Sequence, residues 1–290
     1  MNNSNEICLW PNVSNLTNYS VILLDLWGVV HDGVKPFKNV IDTMIKLKYN
    51  SVKIILLSNS PRRNLYLKKQ LEKIGVPEEA YDNLLSSGEL SYQYLKKKSK
   101  KNNKNLFYRI CPVGEDFISE DLGDQQVDNI EVANYILLIG PENDEVDTVE
   151  KYKSILHKAR EKSIPIICAN PDLSVMRGDK LVLCAGSIAK EYENIGGKVI
   201  YFGKPYPATY EACFKMYPKI DKHKFIAVGD GHLTDILGAG IQKIDSVFVV
   251  SGLSKDKLIF NNEVNFNAVS KLFLESGVML PKALITRFSW

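Results

Sequence analysis

Short runs rich in Val, Ile and Leu alternate along this chain with longer stretches of amphipathic spacing. Strands buried on both faces of a parallel sheet, joined by crossover helices, produce this pattern. The clearest runs are Val21 to Leu24, Val52 to Leu57, Phe225 to Val228 and Ser246 to Val250, each bounded by polar residues or Gly. They predict an α/β fold with a parallel-sheet core. Three of the four runs end in residues with chemistry: Asp25 after the first, Ser58 and Asn59 after the second, Gly229 and Asp230 after the third. In an open α/β sheet the carboxyl ends of the strands border one crevice, so these residues are expected to converge despite their separation in sequence.

Far more residues lie between Ser58 and Asp230 than one crossover requires. That stretch has strand-like runs of its own at Tyr135 to Ile139 and Pro165 to Cys168, with an amphipathic helix expected over Asp144 to Lys162 between them. An inserted domain over 85–195 is therefore expected, with 1–84 and 196–290 forming the core domain. A chain of 290 residues suits two domains at about 150 residues each.

Composition narrows the partners. Lys and Arg number 37 against 34 Asp and Glu, a balance too even to imply a polyanionic partner, so nucleic acid is not expected. The basic run Lys96 to Lys104 lacks aromatics that could stack on bases and reads as a solvated helix end and loop. No segment approaches the roughly 20 apolar residues that span a bilayer, so no membrane partner is expected. The opening MNNSNEICLW has no basic leader followed by an apolar stretch, which makes the cytoplasm the expected location. Cys8, Cys111, Cys168, Cys184 and Cys213 are odd in number and without CxxC spacing, which argues against a disulfide framework or a zinc site and for buried thiols.

Four segments carry candidate chemistry. In VILLDLWGVVHDG (21–33) a buried strand delivers Asp25 to its end, and Gly28 permits a tight turn. A carboxylate there needs a cation beside it, unless Asp25 merely caps a turn. In IILLSNSPRR (54–63) Ser58, Asn59 and Ser60 precede Pro61, which is expected to open a helix; free N–H groups and the Ser58 hydroxyl there suit a phosphoryl group or a plain helix cap. In YFGKPYP (201–207) Lys204 sits between Gly203 and Pro205, on a rigid loop that could fix an ammonium or simply expose it. In FIAVGDGHLTDILGAG (225–240) Asp230 and, five residues on, Asp235 supply hard oxygen ligands of the kind Mg²⁺ takes.

In this order and at these strand ends, the four segments resemble the motifs of the haloacid dehalogenase (HAD) superfamily, most of whose members are phosphatases. The resemblance extends to its class IIA, the NagD-like enzymes, in which a large α/β cap of the C2 type is inserted between the second and third motifs of a Rossmann-like core. Tyr135 to Gly140, IICANPD (166–172) and AGSIAKEYE (185–193) look like that cap and its junction. It implies a Mg²⁺-dependent phosphatase of a small phosphorylated metabolite, with Asp25 attacking phosphorus to give an aspartyl phosphate. It places Mg²⁺ on Asp25, the backbone carbonyl of Trp27 and Asp230, with Asp235 holding its waters. Ser58 would bind phosphoryl oxygens with Asn59 and Ser60, and Lys204 would offset their charge. Such enzymes often pair through the cap, so a homodimer is a further implication.

One position departs from the family pattern. Family phosphatases carry an Asp two residues after the nucleophile as general acid and base, and here Trp27 stands in its place; an indole does no acid–base work. His31 and Asp32 are candidate substitutes, with a turn role as the alternative. Two further readings follow from Trp27: a metal-independent haloacid-type dehalogenase, against which the acidic pair Asp230 and Asp235 speaks, and a catalytically weak phosphate-ligand-binding protein. Within the cap, Asn170 and Asp172 are the candidate substrate-specificity residues.

Overall fold

The computed structural model describes residues 7–99, 105–177 and 180–290. They form two compact units: one from the described residues of Met1–Ser58, Lys68–Leu84 and Tyr210–Trp290, the other from those of Asn59–Leu67 and Leu85–Thr209.

The first unit is built on a six-stranded sheet ordered Ala283–Ile285, Asp245–Val249, Phe225–Gly229, Val21–Asp25, Lys53–Ser58, Asn83–Ser86. Its central pairs are parallel: Val21 lies opposite Phe225 on one side and Lys53 on the other, and Asp25 lies opposite Leu57. All five residues of Val21–Asp25 and of Phe225–Gly229 are buried. That explains why these strands read as unbroken apolar runs rather than alternating ones. The outer part of the sheet rests on a cluster of Ile236, Phe248, Val250, Val269, Phe273 and Leu284. Its helix Phe266–Ser276 is capped at one end by Asn265, whose side chain accepts from Ala268 N, and closed at the other by Gly277 at φ +67°.

The second unit has a five-stranded parallel sheet ordered Val199–Tyr201, Ile166–Cys168, Tyr135–Leu138, Leu106–Ile110, Gln125–Gln126. A short antiparallel hairpin, Ser174–Arg177 with Lys180–Leu183, stands apart from it. A core cluster of this unit packs Leu156 and Ala159 from helix Lys153–Glu161 and Ile188 and Tyr192 from helix Ala185–Asn194 with Ile136, Leu138 and Ile166 of the sheet. The buried Tyr192 hydroxyl donates to the Ile164 carbonyl at 2.6 Å, so no polar group is left unsatisfied by its burial.

Several sequence expectations are corrected. The helix expected over Asp144 to Lys162 begins only at Lys153, after a 3-10 turn Val149–Tyr152. The Asp147 carboxylate accepts from Asn143 N at 2.9 Å and from the Tyr152 hydroxyl at 2.6 Å, and such local bonds compete with a helical ladder. The helix expected to open at Pro61 starts three residues later, as Asn64–Lys73. Of the five cysteines, four are buried and Cys8 is exposed. The basic run follows helix Ser87–Ser99 to its end, and residues 100–104 lie outside the described ones. Among the described residues no helix is long and apolar enough to cross a membrane.

Candidate active site

Three carboxylates meet in the first unit. Asp25 is the last residue of its strand, Asp230 follows the adjacent strand Phe225–Gly229, and Asp235 lies in the wide turn His232–Ile236 that comes next. All three are buried, and one oxygen from each lies within 4.8 Å of the others. The turn is a single π-helical one, a conformation found most often at functional sites. It is braced from behind by Tyr210, whose hydroxyl lies 3.3 Å from the Thr234 carbonyl oxygen.

Glycines make the room for this cluster. A Cβ on Gly28 or on Gly252 would overlap the Asp230 carboxylate, and one on Gly229 would overlap that of Asp235. Gly28 in addition has φ +87°, a conformation that costs other residues about 1–2 kcal/mol. Backbone donors then fix the carboxylates: Leu253 N donates to Asp230 Oδ2 at 2.6 Å, and Gly231 N to Asp235 Oδ2 at 3.2 Å.

Charges this close in a buried site repel by about 3 kcal/mol per pair at an effective dielectric of 20. A divalent cation removes that repulsion, and the donor set decides which kind. Three carboxylates with neither His nor Cys among them suit a hard ion such as Mg²⁺ rather than zinc. The residues therefore fit the cation that the sequence motifs imply. Ser58, also buried, closes the neighbouring strand one position past the residue opposite Asp25.

Around Trp27 the chain folds back on itself. The indole occupies the space that a side chain at Gly33 would need, and its ring meets that of His31 edge to face at 5.5 Å. His31 is buried, and burial pushes its imidazole down to about 4, so it is neutral at pH 7. Its Nδ1 accepts from Gly33 N at 2.9 Å. Asp32 is exposed and accepts from Val34 N and Lys35 N, both at 2.9 Å. Both side chains thus hold the turn that carries Trp27.

The other candidates belong to the second unit. The Asn59 carboxamide accepts from Lys204 N at 2.7 Å and donates to Lys204 O at 3.0 Å and to Asp172 Oδ1 at 2.7 Å. One side chain thus ties the Lys204 loop to the Asp172 loop. Gly203, at φ +116°, allows the approach, since a Cβ there would overlap Asn59 and Pro171. Lys204 is buried and follows a Gly203 whose N–H donates to the Thr209 hydroxyl at 2.9 Å. Asn170 caps its own turn, accepting from Asp172 N at 3.1 Å. Ser60 accepts from Arg62 N at 3.3 Å. The sequence reading missed Gly252 and Leu253 altogether. The signal available was a Ser-Gly pair directly after a buried strand, where a close backbone approach is common.

A parallel-sheet α/β protein with a buried carboxylate cluster at its strand ends belongs, as a class, to the open-sheet α/β proteins that bind their ligands in a crevice at that edge. Family models sharpen the assignment. Residues 22–123 match the haloacid dehalogenase-like hydrolases and residues 201–272 match a HAD-hydrolase-like model. A solved haloacid dehalogenase-like hydrolase of Brucella suis is 32% identical, with 96% of this chain and 99% of that one covered at a TM-score of 0.81. A possible sugar phosphatase of Cytophaga hutchinsonii shares the fold at a TM-score of 0.80, with 20% identity over 98% of this chain and 99% of that one. A 4-nitrophenylphosphatase of Schizosaccharomyces pombe is 25% identical over 274 residues, 86% of this chain and 89% of that protein. The chain belongs to the haloacid dehalogenase-like hydrolases.

Proposed function

We propose that this protein is a Mg²⁺-dependent phosphatase that hydrolyses small phosphate monoesters through an aspartyl phosphate on Asp25. The observation that carries the reading is the meeting of Asp25, Asp230 and Asp235, all buried, within 4.8 Å of one another. The Asp25 carboxylate attacks phosphorus, the ester P–O bond breaks, and the electron pair leaves on the departing oxygen. Water then attacks the aspartyl phosphate, releasing inorganic phosphate and regenerating the carboxylate. Asp25, Asp230 and the Trp27 carbonyl would hold Mg²⁺, with Asp235 holding its waters, and the bound ion would supply positive charge to offset that of the transferring group. Ser58 donates to the phosphoryl oxygens and Lys204 offsets their charge. Asn170 and Asp172 read the part of the substrate that is not phosphate.

Trp27 shapes the substrate range. With no acid at that position, and with His31 neutral and Asp32 bound by backbone N–H groups, the departing oxygen leaves unprotonated. Aryl and acyl phosphates, whose leaving groups carry negative charge readily, are the expected substrates. The name of the Schizosaccharomyces pombe relative, a 4-nitrophenylphosphatase, is consistent with an ester of this type. Trp27 also favours one second reading, a protein that retains phosphorylated ligands with little turnover.

Phosphate release from 4-nitrophenyl phosphate, with and without Mg²⁺, tests the proposal. Activity is expected to require Mg²⁺ and to vanish in Asp25→Asn; activity that survives EDTA or that substitution refutes the mechanism. Saturable phosphoester binding without turnover would support the second reading, and metal-independent halide release from a 2-haloacid would identify a dehalogenase instead.

A further inference from the structure

The carboxyl edge of the first unit's sheet holds more than the acidic cluster. Two strands out from Asp25, a cavity of about 270 Å³ opens beside the ends of Asp245–Val249 and of the edge strand Ala283–Ile285. Lys38, Lys255 and Arg287 line it from three separate segments, together with Ser251 and the rings of Phe37 and Phe288, and no acidic residue lines it. Among the described residues, none of these three cations is ion-paired. The chain as a whole is nearly charge-balanced, at 37 basic against 34 acidic residues. Three cations around one concavity with no acidic residue in its lining are therefore a local concentration and not a reflection of composition. They raise the positive potential inside the cavity, where low-dielectric walls focus it.

We propose that this cavity is a second anion site, binding a small phosphorylated molecule through residues outside the acidic cluster. The phosphate would take charge-assisted hydrogen bonds from Arg287, Lys255 and Lys38, and the Phe37 and Phe288 rings would cover a short apolar portion. The site differs in kind from the Asp25 cluster: it offers cations where that one offers carboxylates, so it needs no metal to hold an anion. A ligand seated there touches Gly28 and Ser251, which belong to the two loops enclosing Asp230. Its occupancy would therefore be felt at the acidic centre.

The test is calorimetric titration of the full chain with inorganic phosphate and with pyrophosphate in EDTA, where the acidic cluster is unneutralised and repels anions. Saturable binding at low ionic strength, weakened by added salt, is expected. In Lys255→Ala/Arg287→Ala the affinity should fall about tenfold or more, while Mg²⁺-dependent release from 4-nitrophenyl phosphate without added ligand stays unchanged. Lys38→Glu, on another segment, should reproduce the loss. Absence of metal-free binding overturns the proposal. So does undiminished binding in both variants, or binding abolished by Lys204→Ala alone.

Discussion

Replacing Gly252 by Ala is a small change with a large expected consequence. Gly252 bears no reactive group, yet a Cβ there would overlap the Cβ, Cγ and Oδ2 atoms of Asp230. Ordinary contact requires the carboxylate to retreat by about 1.4 Å or more, and a displacement of even about 1 Å at a reacting centre costs about 10²-fold in rate. The same shift disturbs the 2.6 Å bond from Leu253 N to Asp230 Oδ2. The expected penalty in folding stability is the usual cost of overpacking, about 1–3 kcal/mol. Gly240→Ala is the matched control: this glycine lies in helix Leu237–Gln242 with nothing within 4 Å of an added Cβ. It should be neutral or stabilising by up to about 1 kcal/mol. Steady-state hydrolysis of 4-nitrophenyl phosphate across a Mg²⁺ titration, beside thermal melts, measures both. A Gly252→Ala enzyme with its rate and Mg²⁺ dependence within twofold of the parent would refute the packing argument.

Three other outcomes follow. Trp27→Asp should extend activity towards alkyl phosphates, gaining up to about 10²- to 10⁴-fold there with little change on aryl esters; an equal effect on both classes would mean that leaving-group protonation is not what Trp27 withholds. Asn59→Ala removes both bonds to the Lys204 backbone and the one to Asp172. At about 1–3 kcal/mol for each buried group left unsatisfied it should lower the melting temperature and the rate together, whereas a purely phosphate-contacting Asn59 would leave stability intact. In the second unit, burial pushes the Asp116 carboxyl up, but the Ser119 hydroxyl and N–H, Ile118 N–H and the Arg109 guanidinium pull it further down, below its ordinary value of 3.8. A depressed carboxylate contributes stability above its unfolded value and loses it as pH falls through the folded one. Urea unfolding of Asp116→Asn should therefore show its largest deficit near pH 7, shrinking below pH about 4; a deficit that does not change with pH would contradict this.

How far the sequence carried depended on which group does the work. Asp25, Asp230 and Asp235 were legible because side chains form the cluster and buried strands announce their ends by unbroken apolar runs. Gly252 and Leu253 were not, because their contribution is an absent Cβ and a backbone N–H, and neither leaves a residue-type signature. Asn59 was expected to bind phosphate from its place after Ser58. Its carboxamide is also engaged by the backbone of Lys204, 145 positions away in sequence, a pairing that no local pattern encodes. The helix expected at Pro61 failed for a related reason: Gly88 packs directly against the Pro61 carbonyl, and this tertiary contact delays helix formation to Asn64. Propensity was outweighed in each case by a contact from a distant segment.

Anomalous diffraction from crystals grown with Mn²⁺ in place of Mg²⁺ addresses the central claim without recourse to turnover. The account predicts a single strong peak about 2.1 Å from carboxylate oxygens of both Asp25 and Asp230, lost in Asp230→Asn. A peak elsewhere, or none at these two residues at saturating metal, would contradict it.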